Sequence, residues 1–251
     1  MNQNEGTLQG KRALVVGASS GIGQGIGREL SAAGAHVVLA ARRLDRLEQA
    51  AAECVGPAFC VRCDVTEPGA ASSLVAQAVD LLGGLDAVVY AAGTTAFSTI
   101  EKATAADWAL TLDTNVIGAA LVLGAAVPHL RASEGHGVYL SSVSARFWSP
   151  WRGLGLYVAS KRAAESVLES LRLEAPEIAF TTLVVGPTVS EFGLDQGDSM
   201  GDFASEWFEL GQVGPGMLEP SDHGEAVVNL LAMDRRVLVS EMVVEPRRTL
   251  S

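Results

Sequence analysis

The feature that most constrains this chain is an alternation. Short runs rich in valine and leucine take turns with longer segments of helical period. The runs are "RALVVG" (12–17), "HVVLAA" (36–41), "FCVRCD" (59–64), "LDAVVY" (85–90), "GVYLSS" (137–142), "FTTLVV" (180–185) and "RVLVSEMVVE" (236–245). They show little of the polar–apolar alternation of a half-solvated strand. Strands of this kind are buried on both faces, as in a parallel sheet. The segments between them, 23–33, 44–54, 70–82, 104–130, 157–174 and 221–233, have helix length. Strand and helix in turn predict an α/β fold: a doubly wound parallel sheet of about seven strands with helices on both faces. No composition break or internal repeat marks a boundary, so 1–251 reads as a single domain.

At 251 residues and 48% hydrophobic content the chain can bury a substantial core. Its net charge of −11 argues against a nucleic-acid partner, which calls for clustered lysine and arginine. Cys54, Cys60 and Cys63 lie close together, but no second cysteine pair follows and the histidines are scattered. The odd cysteine count argues against a disulfide framework. Reduced, partly buried thiols and no metal site are expected. The N-terminus "MNQNEGTLQGK" lacks the charged-then-apolar order of a signal peptide. The longest weakly polar run, 116–127, falls short of the ~20 residues that span a bilayer. A cytoplasmic location without a membrane partner is the expectation.

The first strand runs into "GASSGIG". Gly17, Gly21 and Gly23 sit at a strand–turn–helix junction, with Ser19, Ser20 and Ile22 in the same loop. Glycine there permits a tight turn and a close approach of backbone N–H groups to a phosphate. The spacing is G-x-x-x-G-x-G, not the better-known G-x-G-x-x-G. At the end of the second strand an acid would hold a ribose 2′-hydroxyl, and an arginine a 2′-phosphate. The chain has Ala41 there, then Arg42 and Arg43, which favours NADP(H) over NAD(H). Further on, "YVASK" puts Tyr157 and Lys161 on one face of a helix. A neighbouring ammonium favours the phenolate, so the pair reads as a tuned proton donor. A half-buried tyrosine beside a solvated lysine gives the same letters.

More motifs follow in order: "DV" (64–65) after the third strand, "YAAG" (90–93) after the fourth, "NVIG" (115–118) in a helix and "SSVS" (141–144) after the fifth strand. With "GASSGIG" and "YVASK" in register, the chain resembles the short-chain dehydrogenase/reductase family, of the single-domain branch, over essentially its whole length. The resemblance implies a Rossmann-type fold and hydride transfer between NADP(H) and a ketone or secondary alcohol. It implies that Tyr157 is the general acid–base and that Lys161 lowers the Tyr157 pKa and binds the nicotinamide ribose. Ser142 would orient the substrate oxygen, and Asn115, in a polar helix break, would support a water relay to Lys161. Asp64, Val65, Ala92, Gly93, Pro187, Thr188 and Val189 would line the cofactor site, with the backbone around Thr188 and Val189 at the nicotinamide carboxamide. The resemblance also implies a homodimer or homotetramer, paired through the 104–130 helix and the helix bearing Tyr157.

Three departures stand out. Tyr90-Ala91-Ala92-Gly93 occupies the place of the family's usual Asn-Asn-Ala-Gly, so the polar bracing of the strands must come from elsewhere. Val16 replaces a threonine that links neighbouring turns. The gap from Ser142 to Tyr157 is longer than usual, and the commoner gap, counted back from Tyr157, lands on Ser144. Ser142 is preferred because it ends the strand, which assigns the extra residues to the loop "ARFWSPWRG" (145–153). In that loop Phe147, Trp148 and Trp151 either line an apolar substrate pocket or serve as packing or an oligomer contact. The segment 188–219 breaks the alternation, carries six glycines with Phe203, Trp207 and Phe208, and falls where the family keeps a substrate lid. Two other readings compete. The lost asparagines suit a nucleotide-binding regulator on the same fold. A dehydratase or epimerase usually carries a longer C-terminal substrate domain than this chain has.

Overall fold

The computed structural model describes residues 6–146, 151–193, 199–210 and 216–247. The strands are β1 (Arg12–Val16), β2 (His36–Ala41), β3 (Ala58–Arg62), β4 (Ala87–Tyr90), β5 (His136–Ser142), β6 (Ala179–Val185) and β7 (Glu241–Val244). They pair in parallel as one 7-stranded sheet in the order β3-β2-β1-β4-β5-β6-β7. The helices are α1 (Gly21–Ala32), α2 (Leu44–Ala52), α3 (Ala70–Leu82), α4 (Ala105–Leu112), α5 (Ala119–Ser133), α6 (Val143–Arg146), α7 (Gly155–Glu174), α8 (Ser199–Glu209) and α9 (Pro220–Leu231). This is the doubly wound, Rossmann-type sheet that the alternation predicts.

Alternate residues of the strands feed two cores. Leu14, Val38, Val88, Tyr139 and Phe180 meet α3, α5 and α7 on one face. Ala13, Val15, Val37, Val89 and Leu183 meet α1, α2 and α9 on the other. Both faces of the central strands are dry, so their interiors have few positions for polar residues, and the runs read as continuously apolar. Each fully buried valine or leucine contributes about 1.5–3 kcal/mol. Polar side chains are thereby displaced towards the strand ends. At the end of β1 the turn is tight. Gly17 has φ +88°, and a Cβ on it would lie 2.4 Å from the Ala92 nitrogen. A Cβ on Gly23 would lie 2.2 Å from the Gly17 carbonyl oxygen, so neither position admits a side chain.

The helix expected over 104–130 is present as one helical run, Ala105–Ser133, but its hydrogen-bond register changes part-way. α4 starts at a capping box in which Thr104 and Asp107 bond each other's backbone N–H groups. A π-helical stretch, Asp113–Gly118, then separates it from α5. Such a stretch shifts the backbone bonds from the i→i−4 ladder to the wider i→i−5 register. The Tyr90 hydroxyl donates to the Thr114 carbonyl at 2.6 Å, and the Tyr139 hydroxyl to that of Asn115 at 3.4 Å. The phenols thus supply the bracing that the missing asparagines leave open. By length and composition the run Ala105–Ser133 is apolar enough to cross a membrane, with a mean hydropathy of 1.7 over its most apolar 18 residues. In this fold its inner face, with Ala119, Val122, Leu123, Ala126 and Leu130, belongs to a core.

The last strand begins at Glu241 and not at 236. The Asp234 carboxylate accepts from the backbone N–H of Arg236 at 2.9 Å, and its carbonyl accepts from Val237 at 2.8 Å. That turn consumes the apolar residues read as strand, and Val237 and Leu238 stay exposed.

Candidate active site

The strand order reverses between β1 and β4, and an open α/β sheet binds ligands at such a reversal, beyond the C-terminal strand ends. A cleft of about 870 Å³ lies there. Gly17, Ser19, Ser20, Gly21, Ile22 and Gly23 form part of its wall. The start of α1 has no capping side chain and no acid in its first turn. A helix start of that kind suits an anion. Arg42 and Arg43 line the same end, together with Arg46 of α2. Arg43 donates to the hydroxyls of Ser20 (3.0 Å) and Ser19 (3.3 Å), and to Glu191 at 3.4 Å. Arg46 reaches the other Glu191 oxygen at 3.4 Å. Sequence reading missed Arg46 and Glu191. Arg46 had a signal, its three-residue spacing from Arg43. Glu191 had none, because it arrives from the far side of the sheet's crossover.

Asp64, Val65, Ala92, Gly93, Pro187 and Thr188 are also on the wall. Burial acts to raise the Asp64 pKa, but hydrogen bonds from Thr66 and the nearby Arg42 and Arg62 leave it below its ordinary value. Val189 is exposed and is not among the wall residues, and its backbone N–H donates to the Leu218 carbonyl at 2.9 Å. The Thr188 hydroxyl donates to the Gly186 carbonyl (2.8 Å) and meets Nε2 of the fully buried His223 at 2.7 Å.

At the other end, α7 sets Tyr157, Lys161 and Glu165 one turn apart, against the end of β5. The Lys161 ammonium group donates to the Leu140 carbonyl at 2.7 Å and lies 5.4 Å from the Tyr157 ring centre. Glu165 accepts from the Ser141 hydroxyl and faces Arg146 at 3.6 Å. The sequence reading overlooked Glu165, although it repeats the four-residue step from Lys161. Burial pushes the Lys161 pKa down to about 7, with Glu165 acting in the opposite direction. Burial also pushes the Tyr157 phenol up, and the hydroxyl that pulls it back is that of Ser142. The lowering expected from Lys161 is therefore not the effect at work in this structure. The charged form of the lysine is itself disfavoured by burial, and its nitrogen is directed to Leu140.

Ser142 is the last residue of β5, and its hydroxyl lies 2.9 Å from that of Ser144. Both reach the cleft, and Ser142 is the one that acts on Tyr157. Asn115 is fully buried behind Gly93 rather than on the wall. Its side chain accepts from the Thr94 N–H (2.8 Å) and donates to the Thr94 carbonyl (2.8 Å) and the Ser160 hydroxyl (2.9 Å). It ties the loop after β4 to α7. Trp151 lines the cleft, whereas Phe147 and Trp148 lie outside the described residues.

The sequence pattern of the short chain dehydrogenases matches residues 11–197. The chain belongs to the short-chain dehydrogenase family. It is 34% identical over 248 residues to the glycine betaine reductase ATRR of Emericella nidulans, a match covering 97% of this chain and 19% of that much longer protein. It is 31% identical to an uncharacterized oxidoreductase of Staphylococcus epidermidis, SERP2049, over 94% of this chain and 97% of that one. Among solved structures it is similar to an alcohol dehydrogenase from Thermococcus sibiricus complexed with 5-hydroxy-NADP, with a TM-score of 0.81 at 27% identity, covering 93% of this chain and 95% of that one. A metagenomic short-chain oxidoreductase in complex with NADP gives a TM-score of 0.79 at 25% identity, over 96% and 100% of the two chains. The fold of this short-chain dehydrogenase binds a nicotinamide cofactor, and the residues present fit one. The loop excludes side chains at Gly17 and Gly23, α1 starts without a cap or an acid, and three arginines face the same end of the cleft.

The buried lysine has a measurable consequence. An unfolded lysine keeps its proton to about pH 10, whereas Lys161 releases it near 7. Between those values the unfolded chain binds the extra proton, so stability rises with pH. Without cofactor, wild-type protein is expected to gain stability relative to Lys161→Met from about pH 7 to about pH 10. Urea denaturation at each pH reads the difference, and a flat or falling trend overturns the assignment.

Proposed function

We propose that this short-chain dehydrogenase moves a hydride between NADP(H) and a ketone or secondary alcohol, with Tyr157 as general acid–base. The observation that carries the reading is the convergence of Ser142, Tyr157 and Lys161 on one cleft with the glycine-rich loop. The glycine-rich loop and the arginines would hold NADPH, which would supply the hydride to the carbonyl carbon. Ser142 donates a hydrogen bond to the carbonyl oxygen and fixes its position. Tyr157 gives that oxygen its phenolic proton. A phenol raised by burial is fully protonated at neutral pH and can donate. Lys161, with a pKa of about 7, exchanges protons in the neutral range and restores the phenol. It also holds the nicotinamide ribose hydroxyls. The main-chain carbonyl of Asn115 accepts from the Tyr139 hydroxyl at 3.4 Å, and its second lone pair is where we place a water that feeds Lys161.

NADP(H) is preferred on this reading because Arg42 and Arg43, with Arg46, meet the end of β2, and Ala41 offers no carboxylate. The two similar solved structures hold NADP or a derivative of it. The described parts of 188–219, which leave out 194–198 and 211–215, act as a lid on a single domain. The Thr188–Leu218 bridge pins both ends, and Ala204, Trp207 and Phe208 reach the cleft. Leu110, Ile117 and Leu121 expose an apolar face that suits a homodimer or homotetramer.

Tyr157→Phe is expected to lose on the order of 10²–10⁴-fold in turnover while still binding NADPH. Near-normal turnover defeats the mechanism. Cofactor binding without turnover on any carbonyl compound points instead to a nucleotide-binding regulator. Arg42→Ala is expected to weaken NADPH more than NADH by about 1–3 kcal/mol, read as the change in the ratio of kcat/KM for the two cofactors. The preference should shrink with added salt. Equal use of NADH by the wild type overturns it. Light scattering is expected to give a dimer or tetramer, and a monomer at micromolar concentration removes the assembly.

A further inference from the structure

Beyond Tyr157 the cleft wall is a run of rings in contact. Tyr157 lies 5.0 Å from Phe192, Phe192 lies 5.9 Å from Phe97, Phe97 lies 6.0 Å from Trp207, and Trp207 lies 5.3 Å from Trp151, centre to centre. All of them line the cleft. Phe97, Trp151 and Trp207 form a small core with Leu154 and Val158, separate from the two cores of the sheet. The Trp207 indole N–H is already used, donating to the Arg152 carbonyl at 2.9 Å. Arg152 itself points outward to Glu206 at 2.9 Å.

The charges on the wall are placed elsewhere. Arg42, Arg43, Arg46, Asp64 and Glu191 belong to the nucleotide end, and Lys161 lies beneath Tyr157. Among the described residues, no charged side chain lines the aromatic end. A charged substituent seated there would lose its hydration and find no partner. A ring would gain burial and stacking against fixed aromatic faces. Aromatic faces attract cations, and a quaternary ammonium, which has no N–H left to satisfy, is the serious competitor.

We propose that the carbonyl substrate is uncharged and carries an aromatic or alicyclic ring beside the carbonyl carbon, seated against Phe97, Trp151 and Trp207. The inference rests on the reading of Tyr157 as the proton donor. The reaction balances as for any ketone. The carbonyl carbon gains a hydride from NADPH, the oxygen gains the Tyr157 proton, and solvent returns that proton.

Three benzoyl ketones that differ in charge test the idea: methyl benzoylformate (neutral), benzoylformate (anionic) and phenacyltrimethylammonium (cationic). Methyl pyruvate serves as the ringless control. NADPH binding, followed by cofactor fluorescence, is measured first. Its absence defeats the cofactor reading, and quenching of tryptophan fluorescence by the ester then decides this inference. With NADPH bound, kcat/KM for the neutral ester is expected to exceed that of either charged ketone by ~100-fold or more. It should also exceed that of methyl pyruvate by ~10-fold or more. A charged ketone used as well as the ester, or methyl pyruvate used equally, overturns the inference. If NADPH binds and no ketone turns over, the Tyr157 reading fails, and quenching of tryptophan fluorescence still decides this one. Binding of the ester without benzoylformate supports it, and no binding of the ester removes it. Trp207→Leu and Phe97→Leu should each raise KM for the ester by ~10-fold with the NADPH Kd unchanged. An unchanged KM in both variants also overturns it.

Discussion

Helix α7 reaches the end of β5 through three side chains, each one turn from the next. Tyr157 works against Ser142, Lys161 bonds the Leu140 carbonyl, and Glu165 takes the Ser141 hydroxyl. Lys161 and Glu165 are buried polar groups, and each needs a partner to offset its lost hydration. The helix and the strand are therefore locked in one register, since a slip along either would strand a lysine and a carboxylate in a dry interior. The phenol's position over the cleft follows from that lock. Arg146 extends it outward, meeting both Glu165 and Glu241 of the last strand.

A second polar network supports the same corner from the opposite side. Tyr90 and Tyr139 are paired residues on neighbouring strands, with rings 6.3 Å apart and nearly parallel. Their hydroxyls donate to carbonyls of the π-helical stretch. A buried carbonyl left without such a donor costs about 1–3 kcal/mol. Gly118 makes the arrangement possible, because a Cβ there would stand 2.6 Å from the Tyr90 hydroxyl. The large residue at 90 and the absent side chain at 118 are two halves of one fit. Asn115 then hangs from the same stretch and fastens the Thr94 backbone to α7.

The cleft divides its labour by charge. One end gathers three arginines on a chain whose net charge is −11. The acidic field of the remaining surface disfavours free anions in general. The cations confine whatever anion the protein does hold to the start of α1 and the end of β2. The other end has rings and no described charge. A ligand with a phosphate-bearing part and an apolar reacting part is oriented by this division before any hydrogen bond forms.

Much was legible in the sequence because its causes are local. Strands buried on both faces need unbroken apolar runs, so the sheet and its helices could be read from periodicity alone. A four-residue step on a helix fixes a shared face, so Tyr157 and Lys161 were placed together without any tertiary information. Glycines at 17 and 23 marked a turn that admits no side chain. Three things were decided only by the tertiary structure. The phenols that brace the π-helical stretch come from two other strands. The proton affinities of Tyr157 and Lys161 follow burial, which is a property of everything packed around them. The aromatic wall joins Trp151 to Trp207 and Phe97 to Phe192, residues far apart in the chain. Periodicity reports which face of an element is apolar. It does not report which distant element covers that face, and that choice set the chemistry of this cleft.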